Sequence, residues 1–150
     1  MNTATPSDAL RPEHPDQRID APFISFDVPF ELARLRAQRA YDVEGHAGRT
    51  LTKYPDLRVV LEAMKPEVRL PFHETGERMT LQVIVGQLRV WTEHGENCDL
   101  SEGSFAAIDV ARVHEIEALH ECAFLLTLAW PPAKGGAGVS EEEEAEGAGI

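Results

Sequence analysis

Residues 71–93 read PFHETGERMTLQVIVGQLRVWTE, and their pattern decides the fold class. From Met79 to Val85 an apolar side chain falls at every second position, with Thr80 and Gln82 interleaved. That is the period of a strand with one buried face. Gly86 closes the run, and alternation resumes with Leu88 and Val90 against Arg89 and Trp91. A glycine there suits a tight turn or a close approach of backbones, so two strands joined at Gly86 are expected. Ahead of them a polar turn holds His73, Glu74 and Glu77, donor types that resemble the front half of a metal site.

The same kind of pattern recurs on both sides. RTLTKY (49–54), DLRVVLEAM (56–64), EVRLPF (67–72), CDL (98–100), GSFAAID (103–109), VHEIEAL (113–119) and CAFLLTLAW (122–130) alternate or are rich in β-formers, with Pro, Gly, Asn and Asp between them. The last of these is almost continuously apolar, which predicts burial on both faces, and Pro131 and Pro132 end it. Only one helical period is visible: after Pro29, Phe30, Leu32, Ala33 and Leu35 repeat at helical spacing in FELARLRAQRAY, with Arg34, Arg36 and Arg39 turned mostly elsewhere. Short, evenly spaced strands behind one short N-terminal helix predict an all-β sandwich or barrel. No Gly-rich phosphate loop follows a strand and opens a helix, which excludes the nucleotide-binding α/β folds.

The 150-residue chain is long enough for one domain with a real core. Residues 1–20 are rich in Pro and Asp and are expected to be disordered; residues 134–150, KGGAGVSEEEEAEGAGI, are expected to be a flexible acidic tail, leaving 21–133 as the folded domain. No apolar run approaches the ~18–20 residues of a membrane helix, and residues 1–20 have no secretory apolar region, so a cytoplasmic location is expected. The two cysteines, Cys98 and Cys122, lack metal-type spacing and are expected to be reduced thiols. A formal net charge of −12 argues against nucleic acid and anionic membranes as partners.

The order of features is turn histidine, strand, Gly86, hairpin, Gly103, strand, then a second histidine, His114. This layout resembles the cupins, small jelly-roll barrels built as a double-stranded β-helix. Gly86 fits the glycine of the first cupin motif, and counting back from it puts His73 and Thr75 at the two histidine positions and Met79 at the glutamate position. In the second motif Gly103 and His114 match at the right spacing, while Asp109, Ala111 and Ala118 stand where Pro, Gly and Asn are usual. The resemblance spans about residues 49–131. It implies a cupin barrel, and a homodimer formed through the outer sheets.

In that family three imidazoles and a carboxylate hold a divalent metal in the barrel mouth, where open positions can bind a substrate or polarise it. Here Thr75 is a poor ligand and Met79 a soft thioether better suited to filling core space. His73 and His114, with Glu77 or Glu74 supplying the carboxylate, would form a two-histidine, one-carboxylate site for Fe, Mn, Zn, Ni or Cu, and with it a dioxygenase- or isomerase-type enzyme. The other reading is a non-catalytic barrel that binds a small molecule, with His73 and His114 contacting an anionic or carbonyl ligand and Gln82 and Trp91 lining its mouth. The missing ligands favour this second reading. Arg69 and Arg89 are expected to form salt bridges on exposed sheet edges.

Overall fold

The computed structural model describes residues 18–71, 78–109 and 113–130, of Val113 and His114 the backbone only. Two short helices come first. In α1 (Val28–Arg36) the Asp27 carboxylate accepts from the Phe30 N–H at 3.1 Å, and Pro29 sits in the first turn, where its missing N–H costs nothing. Gln38 then takes an extended conformation, ψ 145°, and α2 (Arg39–Glu44) begins after it and ends at Gly45 in the left-handed region. The expected single helical stretch is therefore present as two pieces. The break lets Leu32 and Leu35 of α1 and Tyr41 of α2 all reach one apolar cluster.

Nine strands follow in the described residues: β1 (His46–Tyr54), β2 (Leu57–Met64), β3 (Arg69–Pro71), β4 (Arg78–Val85), β5 (Gln87–Thr92), β6 (Asn97–Ser101), β7 (Phe105–Ile108), β8 (Val113–Ala118) and β9 (Cys122–Ala129). They form a five-stranded sheet in the order β1-β2-β9-β4-β7 and a four-stranded sheet in the order β3-β8-β5-β6. Every pairing is antiparallel. Gly86, at φ 85°, joins β4 to β5, and a Cβ there would collide with the Glu121 carbonyl oxygen and lie 2.8 Å from Cys122 Cα. The glycine is thus required twice over, by its backbone angle and by the neighbouring chain.

The main core lies between the sheets and includes Met79, Leu81, Val83, Leu88, Phe124 and Leu126. A second cluster lies between the helices and the outer face of β1, β2 and β9, with Leu35, Tyr41, Leu51, Leu61 and Ala123. β2 is the partition between them. Val60 and Met64 face the barrel, and Leu61 and Ala63 face the helices. β9 behaves alike: Phe124, Leu126 and Leu128 point inward and Ala123 points to the helices, in line with its continuous apolar sequence.

The chain enters the fold early. The Ile19 carbonyl accepts hydrogen bonds from the Lys53 N–H at 2.8 Å and the Thr52 hydroxyl at 2.6 Å, and the Ala21 carbonyl accepts from the Tyr54 hydroxyl at 2.6 Å. The acidic tail and residues 1–17 lie outside the described residues.

Candidate functional site

Charged side chains on a strand buried on both faces have no access to water, and β2 carries two of them. Arg58 and Glu62 occupy the phase of Val60 and Met64, so both project toward the barrel interior. Arg58 is 1% exposed. In register it stands opposite Leu128, which stands opposite Met79, which stands opposite Ile108, so these side chains form one row across the inner face of the five-stranded sheet. The Trp130 ring covers the guanidinium, with Cζ 5.3 Å from the ring centre, and the Trp130 N–H is tied to the Asp56 carbonyl at 3.0 Å. At this end of the barrel β3 stops at Pro71, β4 starts at Arg78, β7 stops at Ile108 and β8 starts at Val113. Arg58 thus sits on the inner wall at the barrel end from which the expected site was to be built. A buried guanidinium keeps its charge and presents five N–H donors in a planar fork. A group with two acceptor oxygens, a carboxylate above all, matches that fork.

Of the residues expected to form the site, His73 and Glu77, with Glu74 and Thr75, lie outside the described residues. His114 is the second residue of β8, and its side chain is outside them too. Met79 is 4% exposed and packed in the main core, the gap-filling role its thioether suggested.

Gln82 and Trp91 do not line the barrel. Gln82 shares the phase of Arg78 and Thr80, opposite that of Met79, Leu81 and Val83, and is exposed on the outer face of the five-stranded sheet beside Phe105. Trp91 lies on the outer face of the four-stranded sheet, because Leu88 and Val90 take the inner positions of β5. Its indole N–H donates to Glu117 Oε1 at 3.2 Å, and the guanidinium carbons of Arg69 and Arg89 lie 5.8 and 5.9 Å from its ring centre. Arg69 pairs with Glu115 at 3.0 Å and Glu117 at 3.4 Å. Arg89 donates to both Asp99 oxygens, at 2.6 and 3.1 Å, which lowers the Asp99 carboxyl below its ordinary value. The two arginines are sheet-surface ion pairs, as the sequence led one to expect. His94 is exposed in a turn and His120 is exposed at the β8–β9 turn.

Among the described residues no group of three or more His, Cys, Asp or Glu could hold an ion. The row that carries Met79 in place of a carboxylate also carries Arg58. Arg58 was missed in the sequence because RVVLEAM reads as a strand without revealing that both its faces are covered. The available signal was the placement of Arg58 and Glu62 in phase with Val60 and Met64.

No family model matches the chain, and no curated protein does. Solved structures match well. A salicylate 1,2-dioxygenase from Pseudoaminobacter salicylatoxidans superposes with a TM-score of 0.68 at 18% identity, over 84% of this chain and 44% of that one. An RmlC-like cupin protein from Desulfovibrio desulfuricans gives 0.55 at 18% identity, over 63% of this chain and 91% of that one. A cupin superfamily protein from Desulfitobacterium hafniense gives 0.54 at 10% identity, over 57% and 78%. The chain spans less than half the length of the dioxygenase, and at these identities the likeness is one of fold. None of the described helices is long and apolar enough to cross a membrane. Two antiparallel sheets closed over a core, in this strand order and with these structural neighbours, give the chain the jelly-roll fold that its cupin neighbours share.

Proposed function

We propose that the protein is a small-molecule-binding cupin whose barrel end takes a small organic anion, and that it is not itself a catalyst. The observation that carries this reading is Arg58, a buried cation on the inner wall against the Trp130 ring. An arginine on an inner barrel wall presents a planar fork of N–H donors. A carboxylate ligand would accept paired N–H···O bonds from that fork, and the Trp130 ring offers an apolar face to an aromatic or aliphatic body. His73 and His114 would complete the site as hydrogen-bond partners of the same anion, since imidazole donates or accepts near neutral pH.

Salicylate is the natural first probe, because the protein named salicylate 1,2-dioxygenase shares this fold. Calorimetric titration of the full chain is expected to show binding that falls at least tenfold in Arg58→Met, a change that keeps the length and apolar stem of the side chain. Equal binding by the two proteins, or no binding of salicylate, benzoate or acetate at millimolar concentration, would sink the reading.

The alternative, a metal-dependent dioxygenase- or isomerase-type enzyme with His73, His114 and Glu77 as ligands, is favoured by the same structural neighbour. Metal analysis of untagged protein separates the two. Stoichiometric Fe, Mn, Zn, Ni or Cu that disappears in both His73→Ala and His114→Ala would establish the enzyme reading in place of the first. A homodimer belongs to either reading. The helices leave the outer face of β4 and β7 uncovered, and Phe105 is 61% exposed there. Light scattering of Phe105→Glu is expected to show a monomer where the natural chain is dimeric.

A further inference from the structure

The second charged group on the barrel side of β2 lies at a different place from the first. Glu62 is four residues from Arg58, about 13 Å along an extended strand. It is 3% exposed. In register it faces Gly48 on β1 and Phe124 on β9. A Cβ at position 48 would collide with the Glu62 carboxylate and lie 2.9 Å from its Cδ, so the glycine is what makes room for the acid.

The carboxyl group borders a recess of about 240 Å³ at the β1 edge, to which Gln38, Glu44, His46 and Thr50 also contribute. No described residue donates a hydrogen bond to the Glu62 carboxyl. His46 lies beside it, with Nδ1 at 3.6 Å from Oε1, and on the other side of that ring Nε2 lies 4.0 Å from Glu44 Oε2. Arg49 also lines the recess, but its guanidinium is bonded to the buried carboxylate of Glu31 on the helix side. From β9 the facing side chain is apolar Phe124, and from β1 His46 and Arg49 stand at the recess. Burial raises the Glu62 carboxyl to about 7.

We propose that this recess binds a small protonated amine, with the ammonium group on Glu62 and His46 beside it. A buried carboxyl with space in front of it and no hydrogen-bond donor among the described residues is matched by an ammonium, which supplies both the charge and the N–H groups. Two carboxyl groups and no uncommitted cation disfavour an anion. A single metal ion fits no better, because Glu62 and Glu44 lie off opposite nitrogens of one imidazole and share no common point with it. A recess of this size suits the head of a compact amine.

The test is calorimetric titration of the full chain with n-butylamine and with n-butanol, its uncharged counterpart, at pH 8 and pH 6. The amine is expected to bind and the alcohol to bind at least tenfold more weakly. Amine affinity is expected to drop about tenfold between pH 8 and pH 6, as Glu62 takes up a proton. Glu62→Gln, which keeps shape and removes charge, should abolish both the preference for amine and the pH dependence. Gly48→Ala, which fills the carboxyl's space, should weaken the amine even if Glu62→Gln proves hard to purify. Equal affinity for amine and alcohol, unchanged amine binding in Glu62→Gln, or no amine binding at 10-fold millimolar excess would each overturn the proposal.

Discussion

The outer face of the four-stranded sheet and the inner face of β2 use the same residue types to opposite effect. Outside, Arg69, Arg89, Asp99, Glu115 and Glu117 stand on neighbouring strands and neutralise one another around Trp91. Water screens these pairs, and each adds little to stability. Inside, Arg58 and Glu62 share one strand and one face but stand four residues apart, too far to pair. The two interior charges therefore do not neutralise each other. The difference teaches where to look for ligands in this molecule: a charge paired across a sheet surface is explained by the fold, whereas a charge on an inner wall also faces whatever the barrel holds.

The largest expected contrast between inside and outside is chemical. Cys98 is exposed, whereas Cys122 is buried and its thiol is pushed up to about 12. At pH 8 that shift alone cuts the thiolate about a thousandfold from its ordinary value. A thiol reagent is expected to count one cysteine in the native protein and two in denaturant. Two fast-reacting thiols in the native protein would break the contrast.

Next in size is the pH dependence of Glu62. Its carboxyl is raised from 4.5 to about 7 in the fold, so the native state holds a proton that the unfolded chain releases between those values. Stability from this group is full below about 4.5 and declines as pH rises through 7. Glu62→Gln does not titrate. Urea unfolding should find the variant gaining on the natural chain by up to about 3 kcal/mol between pH 4.5 and pH 8. A difference that does not change with pH would show that the carboxyl is not held apart from water.

A smaller effect is expected from Gly48→Ala, where one methyl is forced against the Glu62 carboxylate. Its cost should be roughly 1–3 kcal/mol, and it should shrink when combined with Glu62→Ala, which opens the space again. Additive losses in the double variant would mean that the glycine serves the backbone and not the acid.

The smallest effect belongs to the outer sheet. A double-mutant cycle on Arg89 and Asp99, the best-formed pair there, is expected to give less than about 1 kcal/mol, decreasing with added salt. A salt-insensitive coupling of several kcal/mol would place these residues with the interior charges after all.

Local sequence pattern determined most of the fold. Each of the nine expected strand segments overlaps one of the nine described strands, Gly86 is the turn between β4 and β5, and Met79 packs in the core. Those features depend on period-two alternation, backbone angles and turn chemistry, which neighbouring residues encode by themselves. The sequence also indicated that Arg69 and Arg89 would form surface ion pairs, because the chain is rich in acids. It placed Gln82 and Trp91 in the barrel mouth, whereas strand phase turned both outward. It passed over Arg58 and Glu62 altogether. In β2 apolar residues occupy both phases, so alternation does not distinguish the barrel face from the helix face until α1, α2 and β9 have packed against the strand. Only that packing decides that both charged side chains lose water, and loss of water is what separates a site from a surface.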